Sequence, residues 1–398
     1  MRRPVSCALV ATALTLPLLA FPAAATSHPG SYIVVLRQQP GSRAVTVSDE
    51  LARQYGGMVT HRFHRALSGY AVTMTADQAR RVAADPRVAS VELDRIIRVP
   101  RPPVSRSRPR QDVSWGLDRI DQRGLPLDGS YTPHGDGKGV TAYVMDSGTQ
   151  ASTKEFGERL KPGYDATGDG QGTEGCLGED HGTGVAGVIA GTTYGVAKAV
   201  DVVAVRVGGC GSYPSDGTMV AGIDWITTHA SRPAVVNLSI GSLGGSNTVE
   251  TAIKNSIANG ITWIVAASND NTDACKASPG RIAEAITVAA SDDTDARWVK
   301  QDESEPGEPG SNYGKCVDIF APGKDIPSLP ETEDTISNWT GTSFAAPHVT
   351  GAAAMYLSDH QDATPAQVAN ALIRASTKAT VTSLSDSPDR LLYVGSES

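Results

Sequence analysis

A chain of 398 residues has room for about two domains, one of them large enough to bury a substantial core. Its formal charge of -8 argues against a surface built to hold polyanions, so nucleic acid is not an expected partner. With 41 glycines and 5% aromatic residues, the composition suits a compact, turn-rich α/β protein.

The N-terminus reads Met1-Arg2-Arg3, then an apolar stretch from 8 to 21, then Ala23-Ala24-Ala25 before Thr26. That is the three-part pattern of a secretory signal peptide over residues 1–25, so export to the extracellular space is expected. No later apolar run is long enough to span a bilayer, and no membrane anchor is expected. Residues 26–98 read as a small α+β unit, with a strand over 31–37, a helix over 75–84 and a second strand over 88–93. It ends in a basic, proline-rich run, 99–111, which can neither pack nor form regular structure. An exposed linker carrying a processing site is the favoured reading, and an uncut tether between domains is the other.

From Trp115 apolar strands alternate with helical patterns: strands over 140–145, 200–207, 234–240, 262–267 and 285–290, helices near 184–190, 218–229 and 248–258. The alternation predicts a three-layer α/β fold over 112–398, its mainly parallel central sheet covered on both faces. Thr364-Pro365 with Gln367 announces the last helix through an N-cap, a proline at the first helical position and a capping-box Gln. Residues 301–310 form an acidic, helix-breaking segment that reads as a solvated loop. Cys7 lies in the signal, which leaves Cys176, Cys210, Cys275 and Cys316 for an oxidising compartment. Two disulfides are expected, with three connectivities open.

The chemistry centres on Gly341-Thr342-Ser343-Phe344-Ala345-Ala346-Pro347-His348. A helix starting at Ser343 would hold its hydroxyl and N–H at the positive end of the helix dipole, where an oxyanion is stabilised. A serine is a poor nucleophile until a base takes its proton, and that base needs an orienting carboxylate. Of eight histidines, His181 stands at the edge of a small-residue helix within Asp180-His181-Gly182-Thr183-Gly184. Asp146 follows the strand 140–145, which puts its carboxylate at the carboxyl end of a parallel strand, where open α/β sheets bind ligands. Asn269, just after strand 262–267, can offer its amide as the second oxyanion donor.

The order Asp146, His181, Ser343, with Met145-Asp-Ser-Gly148, His181-Gly-Thr-Gly184 and Gly341 to His348, resembles the subtilisin-like serine proteases, in the branch of proteinase K and aqualysin. The resemblance runs from Trp115 to Tyr393, and residues 31 to about 98 resemble that family's inhibitory propeptide. It implies an endopeptidase in which Asp146 orients His181, His181 acts as base and then acid, Ser343 attacks, and Asn269 with the Ser343 N–H holds the oxyanion. It also implies that Ser239, Ile240 and Gly241 with Ala266, Ala267 and Ser268 line the S1 pocket and pair with substrate backbone, so that many side chains are tolerated. Among disulfides the resemblance selects Cys176 with Cys210 and Cys275 with Cys316. It implies no catalytic cofactor but a structural calcium ion on Asp318 and the carbonyls of Ala283 and Ala285, with Asp118, Asp121, Gln122 and Asp128 as a second candidate set.

The chain departs from the family at Gly184, usually a second histidine, at Phe344, usually methionine, and at Ser268, usually glycine. Its 208–214 loop is also its own, and 301–310 looks like an insertion. The expected partners are protein and peptide substrates and the chain's own propeptide, and the expected state is a monomer. An esterase or lipase would carry Gly-x-Ser-x-Gly and the order Ser, Asp, His, neither of which occurs here. A non-catalytic binder on a protease fold would have lost one of the four catalytic positions, and all four residue types are present.

Overall fold

The computed structural model describes residues 29–37, 41–98, 104–106 (backbone only), 113–151, 154–176, 181–300, 307–329 and 336–395. The expected signal segment 1–25, most of the 99–111 linker, and 301–306 of the acidic segment lie outside these.

The N-terminal unit is an antiparallel sheet of β1 (Gly30–Leu36), β2 (Met58–Phe63), β3 (Gly69–Met74) and β4 (Val88–Leu93), ordered β2-β3-β1-β4 and backed by α1 (Ser42–Tyr55) and α2 (Ala76–Ala83). Val34, Leu51, Tyr70, Val72 and Val82 form its core. After it, β5 (Val104–Arg106) and α3 (Trp115–Ile120) lead into the larger layer.

That layer is built on β6 (Thr141–Asp146), β7 (Leu160–Asp165), α4 (His181–Ala190), β8 (Asp201–Arg206), α5 (Asp216–His229), β9 (Ala234–Leu238), β10 (Ser242–Leu243), α6 (Asn247–Ala258), β11 (Thr262–Ala266), β12 (Ala277–Ser278), β13 (Ile286–Ser291) and β14 (Ile319–Pro322). It closes with β15 (Ile326–Ser328), β16 (Ser337–Trp339), α7 (Thr342–Asp359) and α8 (Pro365–Ala375). The central sheet is seven-stranded and parallel, ordered β14-β13-β11-β9-β6-β8-β7. Every residue of β9, β11 and β13 is buried, as strands covered on both faces must be. Side chains alternate along β6: Ala142 and Val144 join the core under α4 and α7, while Tyr143 and Met145 join the one under α5 and α6. Small residues let α4 lie close; a Cβ on Gly187 would stand 2.5 Å from Ser328 Oγ. The linker strand β5 extends β15 and β16 into a three-stranded antiparallel sheet.

The N-terminal unit sits on α5 and α6, and Ile33, Phe63 and Leu67 share their core. Polar contacts fix the register. Buried Asp224 on α5 accepts from the N–H groups of His64, Arg65 and Ala66 at 3.1, 2.7 and 2.7 Å. Asp94 accepts from Gly217 N at 2.8 Å at the start of α5, where the dipole and the unpaired N–H groups favour a carboxylate. Glu92 accepts from Thr248 Oγ1 at 2.6 Å at the start of α6. Beyond these the chain runs antiparallel to 214–215, Ile97 N donating to Pro214 O at 2.8 Å.

Candidate active site

Asp146 is the last residue of β6, and its carboxylate emerges at the strand's carboxyl end. Its Oδ1 accepts from Ser147 N at 2.7 Å and pairs with His181 Nδ1 at 2.8 Å. A carboxylate can only accept here, so Nδ1 carries the proton and the basic lone pair belongs to Nε2. Asp146 is buried, and its Oδ2 has no hydrogen-bond partner among the described residues. Its charge therefore rests largely on the imidazole, which it holds in one tautomer.

His181 is the first residue of α4, three residues ahead of the helical stretch 184–190 expected from sequence. Ser147 Oγ accepts from Gly182 N at 3.1 Å and seats that helix start against β6. The imidazole meets Phe344 and Trp339 edge-on, with centroids 5.5 and 6.2 Å away, and these two rings stack on each other at 4.8 Å. A Cβ on Gly184 would come within 3.1 Å of Trp339 and 3.2 Å of Phe344. Two of the departures from the family, at 184 and 344, thus belong to one packing arrangement.

Ser343 stands in the first turn of α7, which begins at Thr342. That turn is stitched to β9. Thr350 Oγ1 donates to Asn237 Oδ1 at 2.9 Å, Asn237 Nδ2 to Ser239 Oγ at 2.9 Å, and Ser239 Oγ to Ser343 O at 2.9 Å. Ser343 Oγ donates to Ser239 O at 3.2 Å. Loading the imidazole needs a rotation of that hydroxyl, the usual difference between a resting and a substrate-bound site. Sequence reasoning does not single out Asn237, although an asparagine inside Ala234-Val-Val-Asn237-Leu238 is a signal in itself: it is fully buried, and a buried amide needs partners.

The orientation of the Asn269 amide follows from its partners. Its Oδ1 accepts from Thr342 N and Thr342 Oγ1 at 2.8 and 2.7 Å, so Nδ2 is the edge that faces the cleft. Nδ2 donates to Glu308 Oε2. Gly341 is needed for this approach: its φ is 147°, and a Cβ there would stand 3.1 Å from Asn269 Nδ2.

These groups meet in a cleft of about 190 Å³. His181, Ser343, Asn269, Ser239, Gly241, Ala266 and Ser268 line it, and Arg98, the last described residue before the linker, reaches it as well. Ile240 and Ala267 correct the expectation for the pocket wall, because strand alternation turns their side chains into two different apolar clusters. They can meet a substrate only through backbone. Sequence reasoning also misses Glu308, which reads there as part of a solvated loop.

The structure joins Cys176 to Cys210 and Cys275 to Cys316, with Cα separations of 5.2 and 5.3 Å. Pairing of β13 with β14 brings Asp318 beside the start of β13, where Thr287 N donates to its carboxylate at 2.8 Å and Ala283 and Ala285 lie just upstream. Burial pushes the Asp318 carboxyl up to about 6. In the other set, Asp118 accepts from Asp128 N and Gly129 N at 3.2 and 2.8 Å, and Gln122 Oε1 accepts from Asp128 N at 3.2 Å. Asp121 is raised by burial and by the nearby Asp118 and Asp128 charges. Among the described residues no group of three or more His, Cys, Asp or Glu side chains is arranged to hold a metal ion.

A doubly covered parallel sheet that gathers a serine, an imidazole and a buried carboxylate at its carboxyl edge is the arrangement of a serine hydrolase of the α/β type. The subtilase family model matches residues 137–389, and that of the peptidase inhibitor I9 matches 31–100. The extracellular serine proteinase of Thermus sp. (strain Rt41A) is 46% identical over 340 residues, spanning 85% of this chain and 78% of that protein. The alkaline serine exoprotease A of Vibrio alginolyticus is 39% identical over 345 residues, which cover 87% of this chain but 62% of that one. A crystal structure of a cold adapted subtilisin-like serine proteinase aligns with a TM-score of 0.66 at 39% identity, covering 72% of this chain and all of that one. The chain belongs to the subtilase family and is a serine endopeptidase with an I9 inhibitor domain ahead of its peptidase domain. Subtilases need no catalytic cofactor, and no helix among the described residues is long and apolar enough to cross a membrane.

Proposed function

We propose that this chain is a secreted endopeptidase of broad specificity, made as a zymogen that cuts itself free of its propeptide. The observation that carries the reading is the Asp146–His181 pair, whose proton-bearing Nδ1 faces the carboxylate while the imidazole lines one cleft with Ser343 and the Asn269 amide. His181 Nε2 takes the Ser343 proton as Oγ bonds to the peptide carbonyl carbon. The resulting oxyanion is held by Asn269 Nδ2 and the Ser343 N–H. The imidazolium then protonates the departing amine, and water, activated by the same imidazole, hydrolyses the acyl-enzyme. In subtilisin, removing the asparagine that serves as such a donor costs on the order of 10²–10³ in kcat, and a loss of that size is expected for removal of the Asn269 amide.

The docked N-terminal unit, whose end delivers Arg98 to the cleft, supports a propeptide acting as intramolecular inhibitor until the linker is cut. The Thermus relative, named as extracellular, and the N-terminal pattern of residues 1–25 support secretion. Calcium is proposed first for Asp318 with the carbonyls of Ala283 and Ala285, because a buried carboxylate held at a raised pKa is one that a hard cation would relieve. The second set, Asp118, Asp121, Gln122 and Asp128, crowds like charge in the same sense, although the Asp118 and Gln122 oxygens are turned to backbone N–H groups.

Casein digestion by the secreted protein, abolished by a serine-directed inhibitor, tests the reading together with Ser343→Ala. That variant should accumulate at full length with no caseinolytic activity in a host lacking other proteases. Maturation of Ser343→Ala in such a host would overturn self-processing, and digestion by it would overturn the assignment of the nucleophile.

A further inference from the structure

Among the described residues of the acidic segment before Ser311, Glu308 reaches the cleft. Through Oε2 it accepts a hydrogen bond from Asn269 Nδ2. Two residues on, the backbone is clamped: Gly310 N donates to Asn269 O at 3.2 Å, and Asn271 N to Gly310 O at 2.8 Å. The segment therefore lies along 269–271, beyond the wall residues 266–268 that follow from β11, and so away from the side where the acyl part of a substrate would pair. Burial raises the pKa of the Glu308 carboxyl, the Asn269 hydrogen bond opposes this, Asp270 adds to it, and His181 is close enough to pull it down. In the proposed reaction the imidazole hands its proton to the departing amine. The carboxylate thus stands where that amine leaves.

We propose that Glu308 is a specificity-determining residue on the leaving-group side, selecting substrates with a cationic side chain immediately after the scissile bond. An amide nitrogen carries two hydrogens, so Asn269 can serve the carboxylate and an oxyanion together, but two negative oxygens on one donor repel each other. A lysine or arginine following the cleaved bond pairs with Glu308 and relieves that repulsion as the oxyanion forms. An acidic residue there adds to it, with Asp270 contributing in the same sense.

The proposal rests on the reaction proposed above, and its test separates the two. Peptides with one common acyl part and Lys, Ala or Glu directly after the scissile bond are compared by kcat/KM on the mature protein. Wild type should prefer Lys over Glu by about tenfold, the size of one charge pair at the rim of a cleft. Glu308→Gln should bring that ratio to near unity, by losing on Lys and gaining on Glu, and Glu308→Lys should invert it. An anilide substrate, whose leaving group has no side chain, reports whether the Asn269 site is intact in each variant. A wild-type protein without preference for Lys overturns the proposal whatever the variants do, as does an unchanged ratio in Glu308→Gln that still hydrolyses the anilide. Anilide hydrolysis by Ser343→Ala would instead sink the underlying reaction.

Discussion

Ser268 has a φ of 76°, left-handed backbone in which a β-carbon costs about 1 kcal/mol. Its hydroxyl stands across the cleft from Gly241, where a Cβ would lie 2.5 Å from it. The family glycine is thus explained by backbone geometry, and the serine here narrows the slot between the two wall segments at some cost in strain. Ser268→Gly relieves that strain but adds freedom to the unfolded chain worth about the same, so the melting temperature should hardly move. Substrate choice should move instead. The ratio of kcat/KM for Phe over Ala before the scissile bond is expected to rise severalfold, in line with about 1–3 kcal/mol per methylene accommodated. An unchanged ratio in the variant would show that Ser268 does not form the wall.

At the scale of elements, α5 anchors the propeptide interface. Asp224 satisfies three consecutive backbone N–H groups of 64–66 from within its third turn, and Asp94 reaches back from the propeptide to the helix start. Hydrogen bonds to a charged group are worth about 1.5–3 kcal/mol each, and the N–H groups left behind would face an alanine. Asp224→Ala should therefore weaken retention of the cleaved propeptide by about tenfold or more. Size-exclusion chromatography of the secreted protein would show less propeptide co-eluting and a shorter lag before activity; equal co-elution and lag would rule the contact out as a determinant.

Element by element, what the sequence reveals follows the clarity of its period. Strands 140–145, 234–240 and 262–267 are legible because burial on both faces makes them continuous apolar runs. β7 is not, since Pro162 and Gly163 read as a turn; it lies at the sheet edge, where proline is tolerated, and a Cβ on Gly163 would meet Ala204 O at 1.9 Å. β2 hides behind a bulge between Val59 and His61 that breaks its alternation. α1 has Gly41 as its N-cap and so no side-chain cap, which removes the usual start signal. In the site, Asp146, His181, Ser343 and Asn269 can be found because each sits at an element's end with a short, distinctive neighbourhood. Glu308 cannot, because one acid in an acidic loop looks like all the others until the fold places it.

For the molecule as a whole, Asp318 links stability to pH. Its carboxyl, ordinarily near 3.8, titrates at about 6 when folded, so the folded state holds its proton longer than the unfolded state does. The sign follows: in the absence of a cation this group's contribution is greatest at acid pH and is lost as pH rises from 3.8 to about 6. A bound hard cation reverses this, since it takes the place of the proton and holds on better above that range. Chelation should consequently lower Tm more at pH 8 than at pH 5, and Asp318→Asn should erase the difference. A chelator without effect at either pH would remove calcium from this account.

The stack of Trp339 on Phe344 above Gly184, beside the His181 imidazole, also constrains which substitutions the site can accept. A larger residue at 184 alone drives into two rings, and a smaller one at 344 alone leaves a void against the base. Positions 184 and 344 are therefore coupled through one aromatic stack, and a change at either reaches the orientation of the His181 imidazole.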